Sequence, residues 1–294
     1  MEWVRKKPIF ESNNLLMNLG FINGIKVESI DEFISPTEKS LNDLHLLNNI
    51  DIVCDRIINA LDKKSRICIS GDVDVDGITS LTIMYQYLKN RSDNVYYIYH
   101  QRSKGHGIIY QLDDIDDRTE LLIILDSSSN DEQTCKLLRE RGIDIIIIDH
   151  HEIDLVNEHA LIINPNADSY PNKELSTSAL CYKIIQCLGG FKRAFDYIDL
   201  AGVGLHADRM CMLTMENRYL VSEALKNLRN PGLIAILKVS NKWKKKEFTA
   251  TDIAFTLAPF INSAARLDRI ELAITLLNCS VGDCCLELVN LIKD

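Results

Sequence analysis

The sequence lacks any hydrophobic run long enough to cross a membrane. Its longest apolar stretches, such as LLIIL and IIII, fall far short of the roughly 18 residues that a spanning helix needs. The first ten residues, MEWVRKKPIF, are charged and hold no apolar core of signal-peptide length. We therefore predict a soluble, cytoplasmic protein with no membrane association.

Paired cysteine motifs and excess positive charge are also missing. The nine cysteines form no CxxC pair and no Cys/His group at zinc spacing, which predicts reduced and mostly buried thiols. The formal net charge of −9 excludes a protein that coats nucleic acid through bulk electrostatics, although a local basic groove is compatible with it. The only dense basic stretch is KVSNKWKKKEF (238–248), either a solvated loop or a phosphate contact.

The order of apolar patterns predicts an α/β fold with a largely parallel sheet. Apolar residues at helical spacing predict an amphipathic helix over 41–61. Helical segments such as 77–90 and 130–142 then alternate with short β-rich runs, which makes parallel crossover connections the expected topology. The predicted strands are RICIS (66–70), NVYYIYH (94–100), LLIILD (121–126), IDIIIID (143–149) and ALIIN (160–164).

The second half of the chain is predicted to be helical, because the β-rich runs stop after Pro171. The uninterrupted IIII of 145–148 is typical of a central strand that is covered on both faces. The length of 294 residues allows one large or two modest domains, and there is no internal repeat or low-complexity linker. We assign 1–60 to an N-terminal segment with a lead-in helix and 61–294 to one catalytic domain with a helical second half.

Acidic and imidazole groups follow three of the predicted strands. Ligands collect at the carboxyl ends of strands in open parallel sheets, so these groups are aimed at one place. Each alone is equally an exposed strand-end residue or a helix N-cap, but three coincident strand ends favour a shared site. The groups are Asp72, Asp74 and Asp76 after the first strand, Asp126 after the third, and Asp149, His150 and His151 after the fourth.

The chemistry of these groups points to divalent cations. On a continuing strand the spacing of Asp72, Asp74 and Asp76 would put three like charges on one face, where they repel unless a positive charge lies among them. Oxygen-rich ligation with an imidazole suits Mn²⁺ or Mg²⁺ better than structural zinc. Two such ions about 3.5–4 Å apart could activate a water and stabilise the charge that develops on a phosphate.

At these residues the sequence resembles the DHH phosphoesterase superfamily. GDVDVDGITS (71–80) resembles its first motif, DHHE (149–152) its name-giving third motif and LHAD (205–208) its fourth. The RecJ branch of single-strand-specific exonucleases is the most similar, through further segments that extend the resemblance over roughly residues 30 to 280. Those segments are DEFISPTEKSLNDLHLL, QRSKGHGI, INPNADSYPNKELSTSALCYKI, GLHADRM and APFINSAARLD.

The resemblance implies a role for each matching residue. Asp72 matches the first RecJ aspartate, which hydrogen-bonds within the cluster or ligates, and His151 would contact phosphate. Arg266, with Asn262 nearby, matches the arginine that grips a substrate phosphate, whereas on its own it would be read as a surface helix residue. Metal ligation is implied for Asp74, Asp76, Asp126 as the bridging carboxylate, His150 and Asp208.

The sequence also departs from the family pattern. LDSSSND has serines where a small residue and glycine usually follow the aspartate, Ala265 stands where glycine is common, and GHG (105–107) replaces a common GYG. Nothing in the 294 residues resembles the DHH-associated domain or the oligonucleotide-binding fold that follow in RecJ. A partner chain that supplies the strand-binding part is therefore one expectation.

Three functions remain open from the sequence. The leading one is a two-metal phosphodiesterase, a RecJ-like nuclease that releases 5′ mononucleotides from single-stranded DNA or short oligonucleotides, with Mn²⁺ favoured over Mg²⁺. The second is a small-substrate hydrolase of the same superfamily, acting on a linear or cyclic dinucleotide. The third is a scaffold without turnover, which the retention of the whole carboxylate and histidine set argues against.

Overall fold

The structure, a computed structural model, describes residues 15–26, 29–100, 105, 107–167, 169–245 and 247–293. Most of the QRSKGHGI segment and Lys246 of the basic stretch lie outside the described residues. Five strands form one sheet in the order β2-β1-β3-β4-β5, and every neighbouring pair is parallel. The strands are β1 (Ile67–Gly71), β2 (Val95–Tyr99), β3 (Leu121–Leu125), β4 (Asp144–Ile148) and β5 (Leu161–Ile163).

Helices surround the sheet and make up the second half of the chain. The first half holds α1 (Leu15–Ile22), α2 (Ile30–Ile34), α3 (Ile50–Asp62), α4 (Val75–Lys89) and α5 (Glu132–Glu140). The second half holds α6 (Thr177–Gly189), α7 (Phe191–Ala194), α8 (Ile198–Ala207), α9 (Met215–Lys226), α10 (Pro231–Val239), α11 (Ala250–Asp252), α12 (Ala258–Arg266), α13 (Ile270–Asn278) and α14 (Gly282–Lys293). A π-helical segment, Ile253–Leu257, joins α11 to α12. Short 3₁₀ turns are Glu38–Ser40, Leu44–Leu46, Ile108–Asp114, Pro165–Ala167 and Phe195–Tyr197.

The sheet is covered on both faces, which confirms the predicted α/β class. Every residue of β1 and β3 is buried, because crossover helices pack on each side of parallel strands. The larger hydrophobic core lies on the face that packs against α3, α4, α6 and α8, and a smaller core lies on the face of α5. Ile145–Ile148 are fully buried as predicted, although β4 lies one strand from the edge and β3 is the middle strand.

One boundary of the predicted elements was wrong. The helix predicted over 41–61 begins at Ile50, and the residues before it form only the 3₁₀ turn Leu44–Leu46. The first strand ends at Gly71, one residue beyond its predicted end, so the three aspartates follow the strand and do not share one of its faces. Asp74 instead caps α4, with its side chain accepting a hydrogen bond from the Gly77 backbone N–H.

The N-terminal segment is anchored to the helical half by a buried polar network. The Lys183 ammonium lies 2.6 Å from a carboxylate oxygen of Glu216 and donates to the backbone oxygen of Asn42. The Asn42 side chain in turn donates to Glu216. The division of the chain at residue 60 stays a prediction. Among the described residues, no helix has the length and apolar character that crossing a bilayer requires.

Candidate metal and phosphate site

The turn between β1 and α4 brings the first aspartates together. Asp76 lies in the first turn of α4 and is buried, while Asp72 precedes the helix. Gly77 is needed here because a Cβ at this position would lie 2.6 Å from the Asp72 backbone oxygen. The tight turn between the strand and the start of the helix therefore brings the aspartates close together. A continuing strand would have spread them along its length.

The N-terminus of α6 binds the carboxylate of Asp76. The backbone N–H groups of Thr177 and Ser178 donate to the two carboxylate oxygens over 2.7 and 3.1 Å. Free N–H groups at a helix start favour a negative charge, and this contact fixes the orientation of the buried Asp76 carboxylate. The STSAL segment (176–180) thus places the start of α6 next to the aspartates.

Asp126 follows β3 in the left-handed region, with φ of 63°. Only 2% of it is exposed, and its Oδ1 accepts a hydrogen bond from the Thr177 hydroxyl at 3.0 Å. Burial, together with the charges of Asp76 and Asp74, raises the pKa of Asp126 well above its usual value. An uncompensated carboxylate in this position is a site for a cation.

The DHHE loop after β4 fixes two imidazoles. Asp149 accepts hydrogen bonds from the backbone N–H groups of His150 and His151 and lies 2.7 Å from Nδ1 of His151. Burial raises the pKa of Asp149, but the hydrogen bond and the charge of His151 outweigh it, so the pKa lies below its ordinary value. That same hydrogen bond raises the pKa of His151 to about 8. Asn164 and Asn166 donate to the backbone oxygens of His151 and His150 and hold the loop.

Asp208 at the end of α8 closes the cluster. The Nε2 atom of His150 lies 3.3 Å from Oδ1 of Asp126 and 3.3 Å from Oδ2 of Asp208. Burial lowers the pKa of His150, and burial with the charges of Asp76 and Asp74 raises the pKa of Asp208 to about 7. A neutral imidazole is the form that ligates a metal.

The side chains form three overlapping groups of three whose ligand atoms lie within 4.8 Å of one another. Asp126 belongs to two groups and His150 to two, which makes one continuous site. All residues predicted as ligands thus meet at one place, together with Asp72 and His151. The groups are Asp126, His150 and His151; Asp76, His150 and Asp208; and Asp72, Asp74 and Asp126.

The donor set fits divalent cations. Within the described part of the chain, no lysine or arginine forms an ion pair with the carboxylates of Asp74, Asp76, Asp126 or Asp208. Buried carboxylates in such numbers are costly unless cations lie among them. Carboxylate oxygens with one or two imidazoles are the ligands that Mn²⁺ and Mg²⁺ accept.

Arg266 and Asn262 lie in a neighbouring cleft of about 700 Å³ rather than within the cluster. The cleft also includes His206, Ala207 and Arg209, which flank Asp208 in the chain, so its wall adjoins the cluster. Arg266 is exposed, and its guanidinium makes no hydrogen bond or ion pair with any described residue. A guanidinium placed this way is available to an incoming phosphate.

Two residues of the site were not identified from the sequence. His100 follows β2, and its Nε2 lies 3.2 Å from Oδ1 of Asp72, while Gln111 contacts its Nδ1. The rule that found Asp126 and Asp149 could have found His100, because it too ends a strand. Thr177 carried no such signal, because its role depends on where α6 begins.

Comparison with known proteins identifies the class. Residues 66–205 match the model for the DHH family, N-terminal domain. YorK, an SPbeta prophage protein of Bacillus subtilis (strain 168) that is provisionally named a single-strand DNA-specific exonuclease, is 33% identical over 251 residues, which are 83% of this chain and 43% of YorK. The single-stranded-DNA-specific exonuclease RecJ of the same organism is 31% identical over 90% of this chain and 34% of its own length.

A crystal structure of exonuclease RecJ bound to manganese superimposes with a TM-score of 0.78 at 25% identity, covering 86% of this chain and 66% of that one. RecJ of Thermus thermophilus in complex with Mn²⁺ gives a TM-score of 0.75 at 24% identity over 90% of this chain and 39% of that one, and shows the same fold. The chain carries a DHH-family domain, as its motifs predicted, and its relatives belong to the RecJ branch. It spans less than half the length of the curated relatives named here.

Proposed function

We propose that this chain is a metal-dependent phosphodiesterase that acts on single-stranded DNA or short oligonucleotides and releases 5′ mononucleotides. The observation that carries the proposal is the continuous cluster in which Asp126 and His150 are each shared between two ligand groups. Shared ligands are what two closely spaced ions require. The names of YorK and RecJ, and the manganese in a RecJ structure, support the same class of reaction.

In this proposal the cluster would hold two divalent cations, Mn²⁺ in preference to Mg²⁺. Asp126 would be the bridging carboxylate, and Asp74, Asp76, His150 and Asp208 would be the other ligands. Cations bound there would activate a water and neutralise the charge that develops on the phosphate.

The protein's own groups position the substrate. His151, tied through Nδ1 to Asp149, presents its half-exposed ring to a phosphate oxygen, and the hydrogen bond to Asp149 keeps the ring in one orientation. Arg266 and Asn262 bind a phosphate in the adjoining cleft. Asp72, in contact with His100, completes the set that we assign to catalysis together with Asp126, His151 and Arg266. A partner chain that extends the strand-binding surface stays a prediction.

The test is a parallel incubation with Mn²⁺ and four end-labelled substrates: single-stranded DNA, duplex DNA, a dinucleotide and a cyclic dinucleotide. We expect mononucleotides from single-stranded DNA and none from duplex. The matched control is Asp126→Asn, which keeps the side-chain shape and tolerates the positive φ of this residue but removes the bridging charge. Cleavage of the dinucleotides alone would indicate a small-substrate hydrolase in place of a nuclease. Cleavage of none of the substrates would overturn the proposal that the chain is an enzyme.

A further inference from the structure

Phe255 is exposed in the cleft that holds Arg266. Its exposed fraction is 78%, against 47% for Tyr110, the next most exposed aromatic side chain of the described residues. Burying a phenylalanine side chain typically stabilises a fold, and Phe255 does not contribute that stabilisation. Single exposed apolar residues are common on protein surfaces, so exposure alone assigns nothing. What needs an explanation is that Phe255 lies in the same cleft as two arginines, Arg209 and Arg266.

The backbone turns Phe255 outward at a local break in the helix. Phe255 is the middle residue of the π-helical segment Ile253–Leu257, whose end residues are both buried. Pro259 lies four residues later, and proline cannot donate to the carbonyl four residues before it and clashes with that carbonyl. A π turn takes up this mismatch by adding a residue, and such turns are frequent at functional sites. The outward position of Phe255 is therefore a consequence of the local backbone conformation that this sequence favours.

One helical face presents an aromatic ring at one end and a cation at the other. Phe255, Pro259, Asn262 and Arg266 follow one another at intervals of three or four residues and all line the cleft. At about 1.5 Å per residue, the face is roughly 16 Å long between its ends. The side-chain oxygen of Asn262 is buried and accepts no hydrogen bond from any residue that the structure describes. Arg209 contributes a second guanidinium to the same cleft.

We propose that Phe255 is a stacking platform for a base of the single-stranded nucleic acid whose backbone phosphate is bound by Arg266. This inference rests on the proposed function and adds a base subsite to it. The ring stacks on any of the bases, because every base has a π-face, so the subsite selects unpaired strands without selecting sequence. Bases of a duplex are already stacked on their neighbours and cannot occupy it. The distance to Arg266 places the stacked base on a nucleotide further along the strand than the phosphate that Arg266 binds.

The test measures binding of the full chain to a fluorescein-labelled single strand of about twelve nucleotides, within the span of known single-strand sites. Fluorescence anisotropy is followed with Ca²⁺ in place of Mn²⁺, so that binding is read separately from cleavage. We expect Phe255→Ala to weaken binding about five- to a hundredfold, the loss of one base–aromatic stack. Phe255→Tyr retains the affinity, and Phe255→Leu, which keeps apolar volume but has no π-face, loses most of it. Leu137→Ala, another exposed apolar residue, lies outside the cleft and serves as the control.

A scan of single abasic sites along the same strand locates the stacked base. One abasic position should weaken binding by wild type about as much as Phe255→Ala does, and should have no further effect on that variant. The proposal is overturned if Phe255→Ala binds within twofold of wild type, if Phe255→Leu binds as well as wild type, if the abasic effect is equal in both, or if wild type does not bind. The Mn²⁺ cleavage assay on wild type decides the proposed function separately: if wild type releases mononucleotides while Phe255→Ala binds within twofold of it, only the base subsite is overturned.

Discussion

The hydroxyl of Thr177 donates a hydrogen bond to Oδ1 of Asp126 over 3.0 Å, and both side chains are buried. Through this contact the start of α6 orients the carboxylate that we propose as the bridging ligand. We expect Thr177→Val to weaken Mn²⁺ binding and cleavage about ten- to a hundredfold, as loss of a group that orients a ligand usually does. Thr177→Ser keeps the hydroxyl and should remain close to wild type. Equal Mn²⁺ affinities for the valine and serine variants, measured by calorimetric titration, would remove this role.

Arg266→Lys should weaken substrate binding and cleavage while leaving Mn²⁺ affinity unchanged. A guanidinium gives two parallel donors to phosphate oxygens, whereas an ammonium is a point charge on a flexible stem. The expected loss in kcat/KM corresponds to about 1–3 kcal/mol, the contribution of hydrogen bonds to a charged group. The control is Arg269→Lys, since Arg269 donates to the Leu291 backbone oxygen. Kinetics like wild type on every substrate would return Arg266 to a surface role and leave the phosphate contact to His151 or to the basic loop.

Lys183→Met should destabilise the fold strongly, because it leaves the Glu216 carboxylate buried without its cation. The two side chains are 0% and 1% exposed, and breaking such a pair costs about 3–5 kcal/mol. The double variant Lys183→Met/Glu216→Gln removes the stranded charge and should recover part of the loss. Lys226→Met breaks the exposed Lys226–Glu223 pair and should change stability by less than about 1 kcal/mol. Urea unfolding measures the free energy of unfolding of each variant. Similar losses for Lys183→Met and Lys226→Met would contradict a larger contribution from the buried pair.

Asp199 should give the protein a stability that falls as the pH rises. Burial raises its pKa, although the backbone N–H groups of Arg229, Asn230 and Leu200 donate to it. A carboxyl that binds its proton more tightly in the folded state stabilises the fold most below its unfolded pKa of about 3.9, and this contribution is lost as the pH rises through the folded pKa. Asp199→Asn lacks the contribution.

The free energy of unfolding of wild type minus that of Asp199→Asn should therefore fall between about pH 4.5 and pH 7. Other titrating groups cancel in this difference, which is measured by urea unfolding at both values. A difference that stays constant or grows with pH would show that the pKa of Asp199 is not raised.

The strand-end groups could be predicted from the sequence because one rule of parallel sheets covers them. Asp126 and the DHHE loop follow buried strands, and they lie together at the carboxyl ends of the strands. The arrangement of Asp72, Asp74 and Asp76 could not be predicted, since it depends on the tight turn after Gly71 and on Asp74 becoming a helix cap. Spacing in the sequence does not give the path of the backbone through a turn.

Contacts between distant segments were also beyond the sequence. The serines of LDSSSND show why: Ser128 has φ of 73°, a conformation that favours glycine, and its hydroxyl accepts a hydrogen bond from the Ile108 backbone N–H. The departure from the usual glycine is thus accompanied by a contact made twenty residues away. The outward position of Phe255 likewise depends on a π turn, which hydrophobic periodicity does not predict.

The roles that we propose for the cluster depend on two divalent cations that share Asp126. Anomalous scattering from crystals of the chain soaked in Mn²⁺ would locate these ions. We expect two peaks about 3.5–4 Å apart, each with Asp126 in its coordination sphere, and the loss of at least one peak in Asp126→Asn. A cluster with no peak, or peaks that Asp126 does not touch, would contradict these roles.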